Sequence, residues 1–222
     1  IVIMLHTGSL SIGHLTGSYF IEVMKELYPE KLKNPENGIY LLPETEKYKE
    51  EWNLFWTSLY NSANFAAANR MFLGLMIKKA IFEELGECKF KLVYDASHNF
   101  VWREKIDSKD YFLHRKGACP ARGLEQMSGT NFEFLGEPVI LPGSMGAESY
   151  LLLGTGNREN LYSSSHGAGR KLSRGEAIKY PEKAFEDFIE KFKIITPIDP
   201  NAHDMRKRKD ILQKWREEIK KE

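Results

Sequence analysis

Apolar residues open the chain without interruption over positions 1–5, a run with the length and character of a buried strand. The following "HTGSLSIGHLTG" has glycines at positions 8, 13 and 17 and predicts a loop. "SYFIEVMKELYPE" then spaces its apolar residues as a helix does, with Pro29 closing it. "NPENGIYLLPE" joins turn chemistry to a short strand. From Thr45 to Leu85 the pattern is helical, with Trp52, Phe55 and Leu59 on one face and Gly86 as the C-terminal cap. So long a run predicts a break, placed at "NSANFAAANR", where small side chains suit close packing. Further strands are expected over 90–95, 131–135, 138–142 and 149–154. "PEKAFEDFIEKFK" is an amphipathic helix with Phe185, Phe188, Ile189 and Phe192 on one face, and 205–222 is a charged helix with Ile211, Trp215 and Ile219 as its packed stripe. Strands and long helices without regular alternation predict an α+β fold.

Composition narrows the partners. The 222 residues carry 32 basic and 31 acidic side chains, a formal charge of +1, so any hold on a polyanion must come from a local patch. Cys88 and Cys119 have no CxxC spacing, which fits a reducing compartment and predicts a cytoplasmic protein. No apolar run approaches the ~20 residues of a membrane helix, and the expectation is a fold with no signal peptide. An apolar start without a leader, and a helix that stops without a closing signal, lead us to expect a portion of a longer protein.

Candidate chemistry recurs at strand ends, where rigid scaffolds present functional groups. His6 follows the first apolar run, and His98 follows "FKLVYD", with Asp95 three residues before it. Each histidine alone reads as structural or as a metal ligand, and a nearby carboxylate or asparagine can orient such a ring. "GSMG" with Ser149 offers backbone N–H groups and hydroxyls for an anion, or forms a tight hairpin. "HRKGA" sets two cations beside a glycine, as a phosphate contact or a solvated loop. "SSSHGAGR" surrounds His166 with small residues, which lets a backbone pass close to a bulky ligand or simply makes a turn. His14 and His203 have nothing around them that marks a site.

Taken in order, "HTGS", "YDASHN", "HRKGA", "PVILPGSMGAESY" and "SSHGAGRKLSRGEA" closely resemble the motif series of the RtcB family of RNA ligases, from His6 to Ala177. The resemblance implies an RtcB-like α+β fold with mixed sheets and long helices, incomplete here. It makes 1–222 a single catalytic-domain portion truncated at both ends, with a motif-bearing core over 1–180 and a helical segment over 181–222. It implies joining of RNA 3′-phosphate or 2′,3′-cyclic phosphate ends to 5′-hydroxyl ends, with GTP and Mn²⁺ as cofactors and a guanylylated histidine. An accessory activating protein is an implied partner; a membrane is not.

By position, His166 would be the nucleophile, and His6 and His98 two manganese ligands. Asn99, Pro142, Gly143, Ser144, Met145 and Ser149 would hold the nucleotide together with His166, Gly167, Ala168 and Gly169, while Lys116 and Arg174 would contact RNA phosphate. The family's further metal ligands, a nucleotide-site asparagine and a guanine-contacting lysine fall outside positions 1–222. One position departs: the family's first motif continues to an arginine where this chain has Leu10. An aliphatic side chain cannot replace a bidentate guanidinium. Two rivals follow: the same nucleotidyl transfer on other nucleic-acid ends, or a non-catalytic nucleotide-binding relative.

Overall fold

The computed structural model describes residues 1–32, 35–143, 147–167, 174–179, 182–192, 195 and 209–220, and the chain divides into two units, Ile1–Asp95 and Ala96–Glu222. The α+β class holds: helices accompany two-stranded antiparallel sheets.

In the first unit, α1 spans Leu10–Leu27 and α2 spans Lys49–Leu85, the latter preceded by a 3₁₀ turn at Glu46–Tyr48. The helix α1 begins well before the expected start and takes Gly13 and Gly17 into its body. Two interior glycines cost about 1 kcal/mol each relative to alanine, and tertiary contact along the same helix offsets this. Phe20 packs edge-on against Phe55 at 5.3 Å, and the hydroxyls of Thr16 and Ser62 meet at 3.3 Å. The helix α2 is continuous through "NSANFAAANR", contrary to the expected break. Its alanines are the strongest helix formers, and buried Ser62 satisfies its hydroxyl on the Ser58 carbonyl at 2.9 Å. Gly86 ends α2 as expected, donating its N–H to the Phe82 carbonyl at 3.0 Å. Trp52, Trp56 and Tyr60 stack along α2 with Phe55 edge-on to both indoles, and the Trp52 indole N–H donates to the Pro43 carbonyl at 3.1 Å.

The apolar runs at 1–5, 39–42 and 90–95 do not form strands. A strand exists only with a partner for its N–H and C=O groups, and none of these runs pairs among the described residues. The run 131–135 is also not a strand; it closes as a turn, with the Phe132 carbonyl accepting the N–H groups of Leu135 and Gly136 at 3.0 and 2.9 Å.

The second unit carries the sheets. β1 (Asn99–Ile106) and β2 (Lys109–Lys116) form a hairpin that the hydrophobic pattern had not marked. Its two-residue turn is Asp107-Ser108, with φ of 50° and 64°, the left-handed pair that matches strand twist. β3 (Ala118–Pro120) pairs with β6 (Ser163–Ser165), and β4 (Pro138–Leu141) with β5 (Tyr150–Leu153), the latter two near their expected positions. Cys119, Ala121 and Val139 form the buried centre between these ladders. Burial pushes the Cys119 thiol above its ordinary value, the Glu137 charge adding to the effect, which suits a packing residue. Short α3 (Arg174–Ile178), α4 (Glu182–Phe192) and α5 (Lys209–Lys220) follow, and Phe185 meets Trp215 with ring centroids 6.1 Å apart. No helix among the described residues is long and apolar enough to cross a membrane.

Phe20 carries the α1–α2 contact, so Phe20→Ala should destabilise the protein by about 3–5 kcal/mol. Tyr19→Ala, at a side chain 57% exposed, should cost under about 1 kcal/mol. Urea denaturation of both variants checks this, and equal losses would contradict the packing described.

Candidate functional site

The histidines of the second unit are positioned by a strand that changes partner. β2 pairs with β1 up to Lys116; one residue later β3 begins its ladder with β6. Gly117 sits at the change with φ of +64°, a conformation that a side chain disfavours. Its N–H is held by the Asn99 side-chain oxygen at 2.9 Å. The Ala118 N–H reaches back to the His98 carbonyl at 3.3 Å, and the Gly117 carbonyl accepts the His166 N–H at 3.0 Å. His98, just before β1, and His166, just after β6, are thereby pinned to the same two residues. Their rings stack at 3.7 Å with an interplanar angle of 6°.

Ring nitrogens of this half-buried pair lie within 4.8 Å of each other, close enough to share one ion. Imidazoles are common ligands for divalent metals, so the donor chemistry fits such an ion. The neutral imidazole is the form that binds metals and attacks phosphorus.

An ionic network anchors β6 beside them. Strand alternation turns Arg115 inward and Lys116 outward. The Arg115 side chain is only 1% exposed, and its guanidinium makes a two-pronged bond to Glu104 at 2.7 and 3.0 Å. Its Nε donates to the Ser163 hydroxyl at 2.8 Å, and its remaining nitrogen reaches the Leu161 carbonyl at 3.3 Å. Arg122 joins Glu104 at 3.0 Å to Glu137 at 3.3 Å. Burial alone would push the Glu104 carboxyl up; the hydrogen bonds and charges of Arg115 and Arg122 outweigh it and hold that carboxyl below its usual value. Of the two cations expected in "HRKGA", only Lys116 therefore faces solvent; Arg115 is taken by Glu104.

The ends of the β4–β5 connection lie beside the residues after β6. Gly143 donates to the Ser149 hydroxyl at 3.0 Å, and a Cβ there would strike the carbonyls of Ala147 and Glu148, so the loop closes only with glycine. Gly167 adjoins the Pro142 carbonyl: a Cβ built on it would lie 3.9 Å away. Residues of "PGSMG" and "HGAGR" are thus neighbours. The Ser165 hydroxyl donates to the Gly167 carbonyl at 2.8 Å. Ser144, Met145, Ala168 and Gly169 lie outside the described residues, as does His203, and Arg174 is described only as the first residue of α3.

His6 belongs to the first unit and is exposed. The residues after it are tied to α2: Asn69 donates to Gly8 and Thr7 at 3.1 and 3.3 Å, and Arg70 to the Thr7 carbonyl at 3.4 Å. Arg70 also grips Asp95 at 2.7 Å, which gives that carboxylate a role on α2. Leu10 is 63% exposed at the start of α1, with φ of 52°. Glu104, Arg122 and Glu137 carry no signal in the sequence motifs, and Arg115 and Gly117 of "HRKGA" take structural roles other than the expected phosphate contact. Period-two alternation of "NFVWREKI" against "KDYFLHRK" is the available signal for the inward placement of Glu104 and Arg115.

The family model described as tRNA-splicing ligase RtcB matches residues 1–202. A relative named tRNA-splicing ligase RtcB from Pyrococcus horikoshii is 33% identical over 194 residues, 81% of this chain and 22% of its own length. The one from Methanococcus maripaludis is 31% identical over 212 residues, 90% of this chain and 44% of its own length. That from Thermococcus kodakarensis is 34% identical over 193 residues, 81% of this chain and 39% of its own length. The chain thus spans less than half the length of each of these relatives.

Glu104→Gln leaves Arg115 buried beside a neutral amide and should cost about 3–5 kcal/mol near pH 7. Because folding lowers the Glu104 carboxyl, the wild type's advantage is present above the ordinary carboxylate range and fades as pH falls through the lowered value. Urea titrations of both proteins near neutrality and near pH ~3 check this. A difference that does not shrink in acid would contradict the network's role.

Proposed function

Because the chain belongs to the RtcB family, we propose that it is the nucleotidyl-transferring portion of an RNA ligase, a single catalytic-domain portion with its motif-bearing core over 1–180. In this reading the protein joins RNA 3′-phosphate or 2′,3′-cyclic phosphate ends to 5′-hydroxyl ends, uses GTP and Mn²⁺, and works in the cytoplasm. The observation that supports it best is the His98–His166 stack held at Gly117.

The His166 nitrogen attacks the α-phosphorus of GTP; a P–N bond forms, the bond to the β-phosphate oxygen breaks, and pyrophosphate leaves. The small neighbours of His166 let that phosphorus approach without a Cβ clash. In this reading His6 and His98 would hold Mn²⁺, and the ion would supply charge neutralisation for the triphosphate. Pro142, Gly143, Ser144, Met145, Ser149 and Gly167 to Gly169 line the guanine nucleotide site, with Asn99 at its edge. Lys116 and Arg174 contact RNA phosphate. Leu10 favours a second reading, the same transfer to other nucleic-acid ends, because its exposed aliphatic side chain offers nothing to a phosphate.

The full-length protein, incubated with Mn²⁺ and GTP labelled at the α-phosphorus, should acquire an acid-labile covalent label. GTP labelled at the γ-phosphorus should leave none, and His166→Ala should abolish the first. A wild type that stays unlabelled would eliminate the covalent mechanism. His98→Ala should weaken Mn²⁺ binding at least tenfold; unchanged affinity would remove His98 from the ligand set.

A further inference from the structure

Beyond Asn99 and Lys116, which the reading above places at the nucleotide and at RNA phosphate, the β1–β2 hairpin presents a face that the nucleotide chemistry does not use. Its register places Asn99, Val101, Arg103 and Lys105 of β1 opposite Lys116, His114, Phe112 and Asp110 of β2. These share one side, because successive strand residues alternate. The opposite side takes Phe100, Trp102 and Arg115 toward the interior. On the outer side, Arg103, Lys105, Phe112, His114 and Lys116 are all exposed. The Arg103 guanidinium lies over the Phe112 ring, 5.4 Å from its centroid. Asp110 is the single carboxylate of the face, 3.9 Å from Lys105, with both side chains well solvated.

We propose that this outer face binds single-stranded RNA and leads its end toward His166; the proposal rests on the RNA-ligase reading above. Three cations against one carboxylate stand out in a chain whose formal charge is only +1, and such a local excess attracts a polyanion. The exposed aromatic ring beside a guanidinium selects the kind of polyanion. Unpaired bases stack on aromatic rings and on guanidinium planes, whereas the bases of a duplex are already stacked on each other. The direction follows from the fold. Lys116 ends β2 immediately before Gly117, whose carbonyl holds the His166 N–H. The face extends from there along an eight-residue hairpin, a track about 25 Å long, room for several nucleotides.

The test uses full-length protein and a fluorescent single-stranded RNA ending in a 3′-phosphate, with anisotropy followed over a salt series. Arg103→Ser/Lys105→Ser should weaken binding and make the log–log salt slope shallower by about 1.4, or 0.7 for each lost phosphate contact. Phe112→Ala should weaken binding roughly tenfold with an unchanged slope. Lys78→Ser/Lys79→Ser, on exposed positions of α2, removes the same charge elsewhere and should leave binding as it was. Thermal midpoints of all variants should stay close to wild type, since each change is on the surface. Unchanged RNA affinity in the hairpin variants, or an equal loss in the α2 variant, overturns the proposal. Labelling of the wild type from GTP runs alongside. A protein that labels normally but whose RNA affinity ignores the hairpin changes refutes this face alone, whereas one that never labels refutes the parent reading.

Discussion

The arrangement of the second unit depends on one backbone event, the change of hydrogen-bond partner at Gly117. A strand that pairs with β1 on one side of that residue and with β6 on the other draws two remote segments to a common point. Three hydrogen bonds fix it: Gly117 N–H to Asn99, Ala118 N–H to the His98 carbonyl, and His166 N–H to the Gly117 carbonyl. Because the constraint is on the backbone, the two imidazoles meet without needing to attract each other. Asn99 is part of that constraint as well as a neighbour of the proposed nucleotide site.

Such a junction lasts only if β6 cannot slide, and the Arg115 network prevents this. One guanidinium binds the Glu104 carboxylate of β1, the Ser163 hydroxyl that opens β6 and the Leu161 carbonyl before it. With its side chain 1% exposed and Glu104 at 12%, the pair is costly to desolvate, so its value lies less in net stability than in permitting one register. The outward residues of the same strands are left to meet solvent or a ligand. Inward and outward side chains of one hairpin thus divide the work, the first locating His166 and the second offering a charged, aromatic face.

What could be read in the sequence divides along the same line. Helices with strong periodicity were legible: α4 and α5 stand where the pattern put them, α2 does so without the expected break, and β4 and β5 follow from compact apolar runs. The runs at 1–5 and 90–95 look equally like strands, but pairing is a property of two segments, and one segment's composition does not reveal whether a partner is present. The β1–β2 hairpin escaped for the opposite reason: its strands are heavily charged, and its turn is Asp-Ser where glycine would have announced it. Of the candidate site, the resemblance to the RtcB series singles out His98, His166 and the two glycine-bearing motifs, and the structure brings the two histidine rings together and sets Gly167 near Pro142. The inward role of Arg115 was not, because "HRKGA" reads as two equivalent cations until strand alternation separates them.

The central claim, that a partner change at Gly117 sets His98 and His166 face to face, is tested most directly by nuclear Overhauser spectroscopy on protein isotopically labelled in its histidine rings. Rings stacked at 3.7 Å should give strong cross-peaks between the carbon-bound ring protons of His98 and His166, and these should vanish in Gly117→Val. Absence of those cross-peaks in the wild type, in spectra where the Phe185 and Trp215 rings still show theirs, would contradict the account.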